Sequence, residues 1–318
     1  MGELHPQMRA ILEKMEEAAL PALPTLTPAA ARAQVEASFV PFWNANPPAV
    51  AGVTNFSIPG PGGPIAVRLY DPGVAAPAPC LVYLHGGGWV ICSLDSHDDV
   101  CRRIALAGRV MVASIDYRLA PEHKFPAGLE DCIAATRWLA AHGEARGIDG
   151  RQLAIGGDSA GANLSVATAL LLRDSGAAGL LSGMLLHYGC FSSESSPQAL
   201  AGFGAPGNLL TGDEMAAFWR NYLSAPSDAR NPLAAPMRAR LDGLPPAFLI
   251  SAQCDVLAEQ SIEFAARLHS AGVAAAHTEY PGATHSFLEA MSIADVSRRA
   301  LADGAAWLRH RLAASAPV

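Results

Sequence analysis

Apolar positions along the chain change character near residue 80. Ahead of it, Met8, Ile11, Leu12, Met15 and Ala19 recur at helical spacing and predict a helix over residues 6–19. Pro21, Pro24 and Pro28 interrupt the pattern. A second helix is expected from 29 to about 44, closed by Pro47 and Pro48. Residues 1–50 therefore read as a helical appendage. The run Pro59-Gly60-Pro61-Gly62-Gly63-Pro64 then separates two strand-like segments, 53–58 and 65–70, which is the pattern of a hairpin.

Beyond residue 80, strands alternate with helices. Residues 80–84 and 110–115 are unbroken apolar runs of the kind found in buried parallel strands. A helix follows with Leu129, Cys132, Ile133, Thr136, Leu139 and Ala140 on one face. Next come a strand at 152–156, a helix at 161–172 and strands at 184–188, 247–252 and 277–280. Leu301, Ala305, Leu308 and Leu312 mark a closing helix. This alternation predicts an α/β domain over 51–318, with a mostly parallel central sheet and helices on both faces. One stretch, about 192–240, breaks it. Rich in Pro, Gly, Ser, Trp and Tyr and without a clear strand, it reads as an insertion able to cover something.

Composition narrows the function classes. Of 318 residues, 51% are hydrophobic and 16% charged, against about 25% charged in ordinary soluble proteins, so a large core is expected and disorder is excluded. The net charge of −7 argues against nucleic acid as a partner and against stable binding to an anionic membrane. No stretch reaches the roughly 18 apolar residues of a membrane span. Early Glu3 and Pro6 and the lack of an apolar h-region argue against a secretory signal, and Pro6 breaks the myristoylation pattern. A cytoplasmic protein is expected. Cys80, Cys92, Cys101, Cys132, Cys190 and Cys254 contain no CxxC and read as small buried hydrophobes, not as a zinc or redox site.

The sharpest chemical signal is Gly157-Asp158-Ser159-Ala160-Gly161 between an apolar strand and a helix. A serine on so tight a turn is thrust out of the sheet edge, and the helix that starts there aims backbone N–H groups at it. The second signal is His85-Gly86-Gly87-Gly88-Trp89, directly after a strand. Its glycines leave amides unshielded, as an oxyanion hole requires. A serine hydroxyl also needs a base and an orienting acid, in the chain order Ser, Asp/Glu, His. His285 lies in a loop after the last strand. His187 falls inside an apolar strand and reads as a core histidine, while His269, His277 and His310 lie on faces expected to meet solvent. For the acid, Asp255 follows the 247–252 strand at the ligand-binding end of the sheet, with Glu259 one helical turn later as its rival.

These motifs together resemble the hormone-sensitive lipase family of α/β-hydrolases, in particular its bacterial GDSAG-type carboxylesterases. The matching stretches are the HGGGW and GDSAG motifs, Asp116-Tyr117-Arg118-Leu119-Ala120-Pro121-Glu122, Asp255-Val256-Leu257 and Pro281-Gly282-Ala283-Thr284-His285-Ser286-Phe287. Asn231-Pro232-Leu233 and Leu244-Pro245-Pro246 also match family segments. The resemblance implies an esterase for short to medium acyl chains that needs no cofactor and no metal. Its cap would combine the N-terminal helices with the 192–240 insertion. Ser159 would be the nucleophile, His285 the base and Asp255 the orienting acid, with the amides of Gly87, Gly88 and Ala160 as oxyanion donors. Trp89 and Phe287 would contact a small-molecule ester substrate. A homodimer is a further implication, which no surface stripe in the sequence marks. Val256, Ala162 and Ser286 stand where the family usually has Pro, Gly and Gly.

Other groups receive structural readings. Asp95, His97, Asp98 and Asp99 resemble a metal cluster, but acidic residues before a helix also suit its dipole. Tyr117, Arg118 and Glu122 read as a charged cluster bracing loops under the site. Trp43, Trp89, Phe218, Trp219 and Tyr222 could line a pocket or simply pack a cap. An amidase or acyltransferase on the same residues, or a binding protein that keeps the pocket without turnover, are the competing functions.

Overall fold

Among residues 3–314, which the computed structural model describes, eight strands form one sheet. Met1 and Gly2, part of the N-terminal reading above, and residues 315–318 lie outside them. The chain opens with α1 (Pro6–Glu17), α2 (Pro28–Gln34) and the short α3 (Val40–Trp43), followed by the hairpin of β1 (Gly52–Gly60) and β2 (Gly63–Asp71). Then come β3 (Ala78–Leu84), α4 (Asp98–Gly108), β4 (Met111–Asp116), α5 (Ala127–His142), β5 (Ile148–Asp158), α6 (Ala160–Asp174) and β6 (Leu181–His187). The stretch that broke the sequence pattern carries α7 (Pro197–Phe203) and α8 (Gly212–Tyr222). The last elements are β7 (Ala247–Cys254), α9 (Ala258–Ser270), β8 (Ala275–Thr284) and α10 (Asp295–Ala314).

The order across the sheet is β1-β2-β4-β3-β5-β6-β7-β8. β2 is antiparallel to β1 and β4, and the remaining pairs are parallel. β3 shows why its sequence is apolar at every position. Cys80, Val82 and Leu84 enter the core shared with α5, α6 and α9, among Leu129, Leu139, Leu164 and Phe264. Leu81 and Tyr83 enter the opposite core with α4 and α10, among Val100, Ile104, Leu301 and Leu308. Burying each such side chain contributes about 1.5–3 kcal/mol. A strand covered on both faces cannot alternate with polar residues.

Two departures from the sequence reading have local causes. The hairpin is longer than the predicted runs, pairing Gly60 with Gly63 around Pro61 and Gly62. The predicted 29–44 helix is interrupted by a π turn over Val35–Phe39, where Val40 N–H bonds back to the Val35 carbonyl. Pro41 has no N–H to offer the carbonyl of Ala37, so the regular helical ladder cannot continue there. For the site, the consequence of the topology is simple. β3, β5, β7 and β8 run parallel and end at one edge of the sheet, which gathers the loops carrying residues 85–89, 159, 255 and 285.

Candidate active site

β5 ends at Asp158 and α6 begins at Ala160, so Ser159 alone reverses the chain. Its backbone sits at φ 52°, ψ −115°, a conformation that costs on the order of 1–3 kcal/mol and persists only where the surroundings impose it. The turn is wedged against the end of β3: a Cβ on Gly161 would lie 1.8 Å from the Leu84 carbonyl oxygen, and one on Gly157 would lie 2.1 Å from the same atom. No residue but glycine fits at either place. Ser159 N–H donates to the His187 carbonyl at 2.9 Å, which ties the turn to β6.

The strained serine meets the two distant side chains. His285 Nε2 lies 3.0 Å from Ser159 Oγ, and His285 Nδ1 lies 2.8 Å from Asp255 Oδ2. The other Asp255 oxygen accepts the Leu257 N–H at 2.9 Å, so the carboxylate is held from both sides. Asp255 is buried, whereas its rival Glu259 points to solvent. Burial opposes charge on His285, but the carboxylates of Asp255, Glu289 and Asp158 outweigh it and hold the imidazole above its ordinary 6.5. His187 is a buried core histidine that burial pushes down to about 4, while His269 and His310 are exposed and His277 is half-buried.

Gly87 and Gly88 face the same space, both with left-handed backbone, and so does Ala160. The Ala160 amide is one of those that a first helical turn leaves without an intrahelical acceptor. The glycine loop is pinned on several sides. Tyr117 OH donates to the His85 carbonyl at 2.8 Å, Gly86 N–H to Asp158 Oδ1 at 3.1 Å, and Ile91 N–H to the Gly87 carbonyl at 2.9 Å.

A family profile described as alpha/beta hydrolase fold matches residues 81–289. The chain belongs to this α/β-hydrolase family. Within it, the hormone-sensitive lipase resemblance holds. The chain is 40% identical over 227 residues to esterase LipI of Mycobacterium tuberculosis, covering 70% of each protein. It is 37% identical over 240 residues to an ethyl acetate hydrolase of Pseudomonas putida, covering 73% of this chain and 74% of that one. Among solved structures, a hyperthermophilic esterase from the archaeon Pyrobaculum calidifontis superposes with a TM-score of 0.92 at 38% identity, covering 99% of this chain and 100% of that one.

Ser159 and His285 open into a cavity of about 240 Å³. Val35, Phe39 and Trp43 line it from the N-terminal section, and Leu210, Met215 and Phe218 from the 192–240 stretch. Trp89 also lines it, stacked on Tyr222 with ring centres 4.1 Å apart. Trp219 and Tyr222 stand behind Trp89 and form no part of the lining. Phe287 requires a correction. It was expected to contact substrate, but its side chain is 0% exposed and packs between Tyr188 and Tyr280, each 5.7 Å away centre to centre. Ser286 takes a left-handed turn (φ 56°), and the following side chain is thereby directed into the core.

The supposed metal cluster disperses. Asp95 pairs with Arg68 at 2.7 Å, Asp98 with Arg102 at 2.6 Å and Asp99 with Arg103 at 2.8 Å. His97 turns away from all three toward Asp158 and Glu289, whose ligand atoms and its own lie within 4.8 Å of one another. The Tyr117, Arg118 and Glu122 group also divides. Tyr117 stacks on His85, Arg118 grips Asp131, and Glu122 meets Arg32 at 2.7 Å. Arg32 also donates to the carbonyls of Val90 and Ala120, both at 2.7 Å, and so fastens α2 beside the glycine loop. Sequence reasoning missed Arg32, and it missed Glu214, which lines the cavity. The Thr-x-x-Glu capping box of Glu214 was legible, for Thr211 and Glu214 do cap α8, but its proximity to His285 was not.

Proposed function

We propose that Ser159 is the nucleophile, His285 the general base and acid, and Asp255 the residue that orients His285. The Gly87, Gly88 and Ala160 amides then form the oxyanion hole. The supporting observation is the unbroken chain from Ser159 Oγ through His285 to Asp255, at 3.0 and 2.8 Å, on the strained turn at the sheet edge. The activity it serves is carboxylic ester hydrolysis. His285 takes the Ser159 proton as Oγ attacks the ester carbonyl, and the resulting oxyanion is held by the three amides. The C–O bond to the alcohol breaks as His285 returns the proton to the leaving oxygen. Water, deprotonated by His285, then attacks the acyl-serine carbonyl, and the bond to Ser159 Oγ breaks as His285 returns that proton to Oγ, releasing the acid. Loss of one amide donor would cost about 3–4 kcal/mol of transition-state stabilisation.

The cap in this reading comprises residues 1–50 together with 192–240, and 51–318 is the catalytic domain. Support comes from the cavity walls, which both segments supply. A lining rich in Met, Leu, Phe and Trp, with Glu214 and Glu289 as its carboxylates and no Lys or Arg among the described residues, suits short to medium neutral acyl esters. Trp89 is the aromatic wall beside the glycine loop. No helix among the described residues is long and apolar enough to cross a membrane. Work in the cytoplasm is proposed on the six cysteines, five of them buried and Cys92 half-buried. A homodimer is proposed from the family alone, with light scattering as its check.

The test is Ser159→Ala assayed on p-nitrophenyl butyrate, beside labelling of the wild-type chain with a fluorophosphonate. Turnover and labelling should both vanish in the variant while its melting temperature holds. Retained turnover would remove Ser159 from the mechanism.

A further inference from the structure

Behind the reacting groups lies a buried set of charges to which the mechanism above gives no part. His97, Asp158 and Glu289 are 1%, 1% and 7% exposed. They come from the loop before α4, the end of β5 and the turn after β8. Their hydrogen bonds fix where the protons are. Ser96 Oγ accepts the Ser93 N–H at 2.9 Å and gives its one proton to the Ser93 carbonyl at 2.8 Å. With that proton directed to the Ser93 carbonyl, His97 Nδ1, 2.8 Å from the same oxygen, is placed to donate to it.

On the other side of the ring, Nε2 lies 3.2 and 3.3 Å from the two oxygens of Asp158 and 3.5 Å from Glu289 Oε1. Asp158 Oδ1 already accepts Tyr83 OH at 2.7 Å and Gly86 N–H at 3.1 Å. Imidazole is more basic than a carboxylate by about 2 pK units, so the proton between them sits on Nε2. Both ring nitrogens are thus placed to donate, the arrangement an imidazolium satisfies.

Resting on Ser159 as nucleophile, we propose that the His97 imidazolium is a positioning residue for the oxyanion loop. It neutralises Asp158, whose carboxylate grips the Gly86 amide, and thereby sets Gly87 and Gly88 against Ser159. The same cation reaches the histidine loop. Glu289 Oε2 accepts Tyr188 OH at 3.0 Å, and the Tyr188 ring meets His285 edge-on at 5.0 Å. One charge thus links the three loops that carry the reacting groups. The electrostatics of the cluster agree. Burial alone would discharge His97, but Asp158 and Glu289 hold it up to about 10, and the same pairing overrides burial to hold Asp158 down to about 2. The nearest other titratable ring, His85 at 5.6 Å, is kept neutral by burial at about 4. Tyr83 and Cys92, also facing the cluster, are held neutral by burial.

Three variants and one spectrum test this. His97→Gln keeps a donor near Nε2 but removes the charge, leaving the Asp158 carboxylate buried and uncompensated. Its kcat should fall about 100-fold with KM changed less than about threefold. Asp158→Asn should also lower kcat. The double variant His97→Gln/Asp158→Asn, neutral on both sides, should regain at least tenfold over His97→Gln alone. A kcat for His97→Gln within twofold of wild type, or losses that simply multiply in the double variant, would overturn the proposal. If His97→Gln does not fold, the ring is read directly. In ¹⁵N-histidine-labelled His285→Gln protein at pH 8.5, one ring should show both nitrogens protonated, and its absence would overturn the proposal too. Failure of the nucleophile reading is distinguishable, because it would show as a wild-type protein that neither turns over esters nor labels.

Discussion

Replacing Gly161 with alanine is the most direct test of how closely the elbow must approach β3. The new Cβ would lie 1.8 Å from the Leu84 oxygen, 2.6 Å from the Leu84 carbonyl carbon and 2.7 Å from the His85 oxygen. All three are backbone atoms, so no side chain can swing aside, and the contact to Leu84 O falls 1.2 Å short of the 3.0 Å below which real Cβ contacts are essentially never seen. Overpacking of this kind costs about 1–3 kcal/mol of stability. Relief can come only by moving α6 and the serine turn away from the loop that follows β3. A shift of about 1 Å carries the Ala160 amide from hydrogen-bonding distance of a shared oxyanion to one where the bond is largely lost. Loss of a single donor lowers kcat by about 10²–10³. The assay is kcat and KM on p-nitrophenyl butyrate at a temperature where circular dichroism shows the variant folded. A folded Gly161→Ala with kcat within tenfold of wild type would refute the reasoning, because the elbow and loop would then not be held at contact distance.

Other expectations follow from particular residues. As the proposed general base, His285 has to be neutral to accept the Ser159 proton, and its neighbours hold it above 6.5. The ratio kcat/KM should therefore rise with pH through an inflection above 6.5, and an acid limb centred well below that value in a pH–rate profile would contradict the assignment. An acyl chain ending in a carboxylate meets Glu214 and Glu289, and the one cationic side chain in the lining among the described residues, His97, is already committed to Asp158 and Glu289. Mono-p-nitrophenyl succinate should be turned over at least tenfold less efficiently than the butyrate, from repulsion on the order of 1–2 kcal/mol. Glu214→Gln, which can still close the Thr211 capping box, should narrow that gap, and equal efficiency for the two esters in wild type would exclude a charge filter. Ser286 occupies a left-handed conformation (φ 56°) that costs a side-chain-bearing residue about 1–2 kcal/mol. Ser286→Gly should accordingly raise the melting temperature by roughly 1–3 °C, and a fall in differential scanning fluorimetry would show that the serine is not strained there.

What could be read from the chain depended on how local the physics was. β3 was legible because two-sided burial leaves a continuous apolar run, and the serine turn because only glycine tolerates the approach to Leu84. The meeting of His285 and Asp255 with Ser159 was legible because few polar residues follow the strands that end beside it. The His97 cluster was not, for its partners stand 61 and 192 positions away in sequence and only the sheet order brings them together. Adjacent Asp98 and Asp99 drew attention to a cluster that the α4 arginines dissolve. Phe287 failed for a different reason. Its position in the chain was right, but the direction of its side chain was set by the left-handed turn at Ser286, which no periodicity announces.

The proposed reacting groups Ser159, Asp255 and His285 stand at the ends of parallel strands, while Val35, Phe39 and Trp43 on one side and Leu210, Met215 and Phe218 on the other border the cavity. On the proposed mechanism, substitutions in those walls can therefore resculpt what enters without moving the groups that cleave it. Arg32, clasping Glu122 and two carbonyls near the glycine loop, marks where that independence ends: the outer shell can diverge freely only so long as it remains latched there.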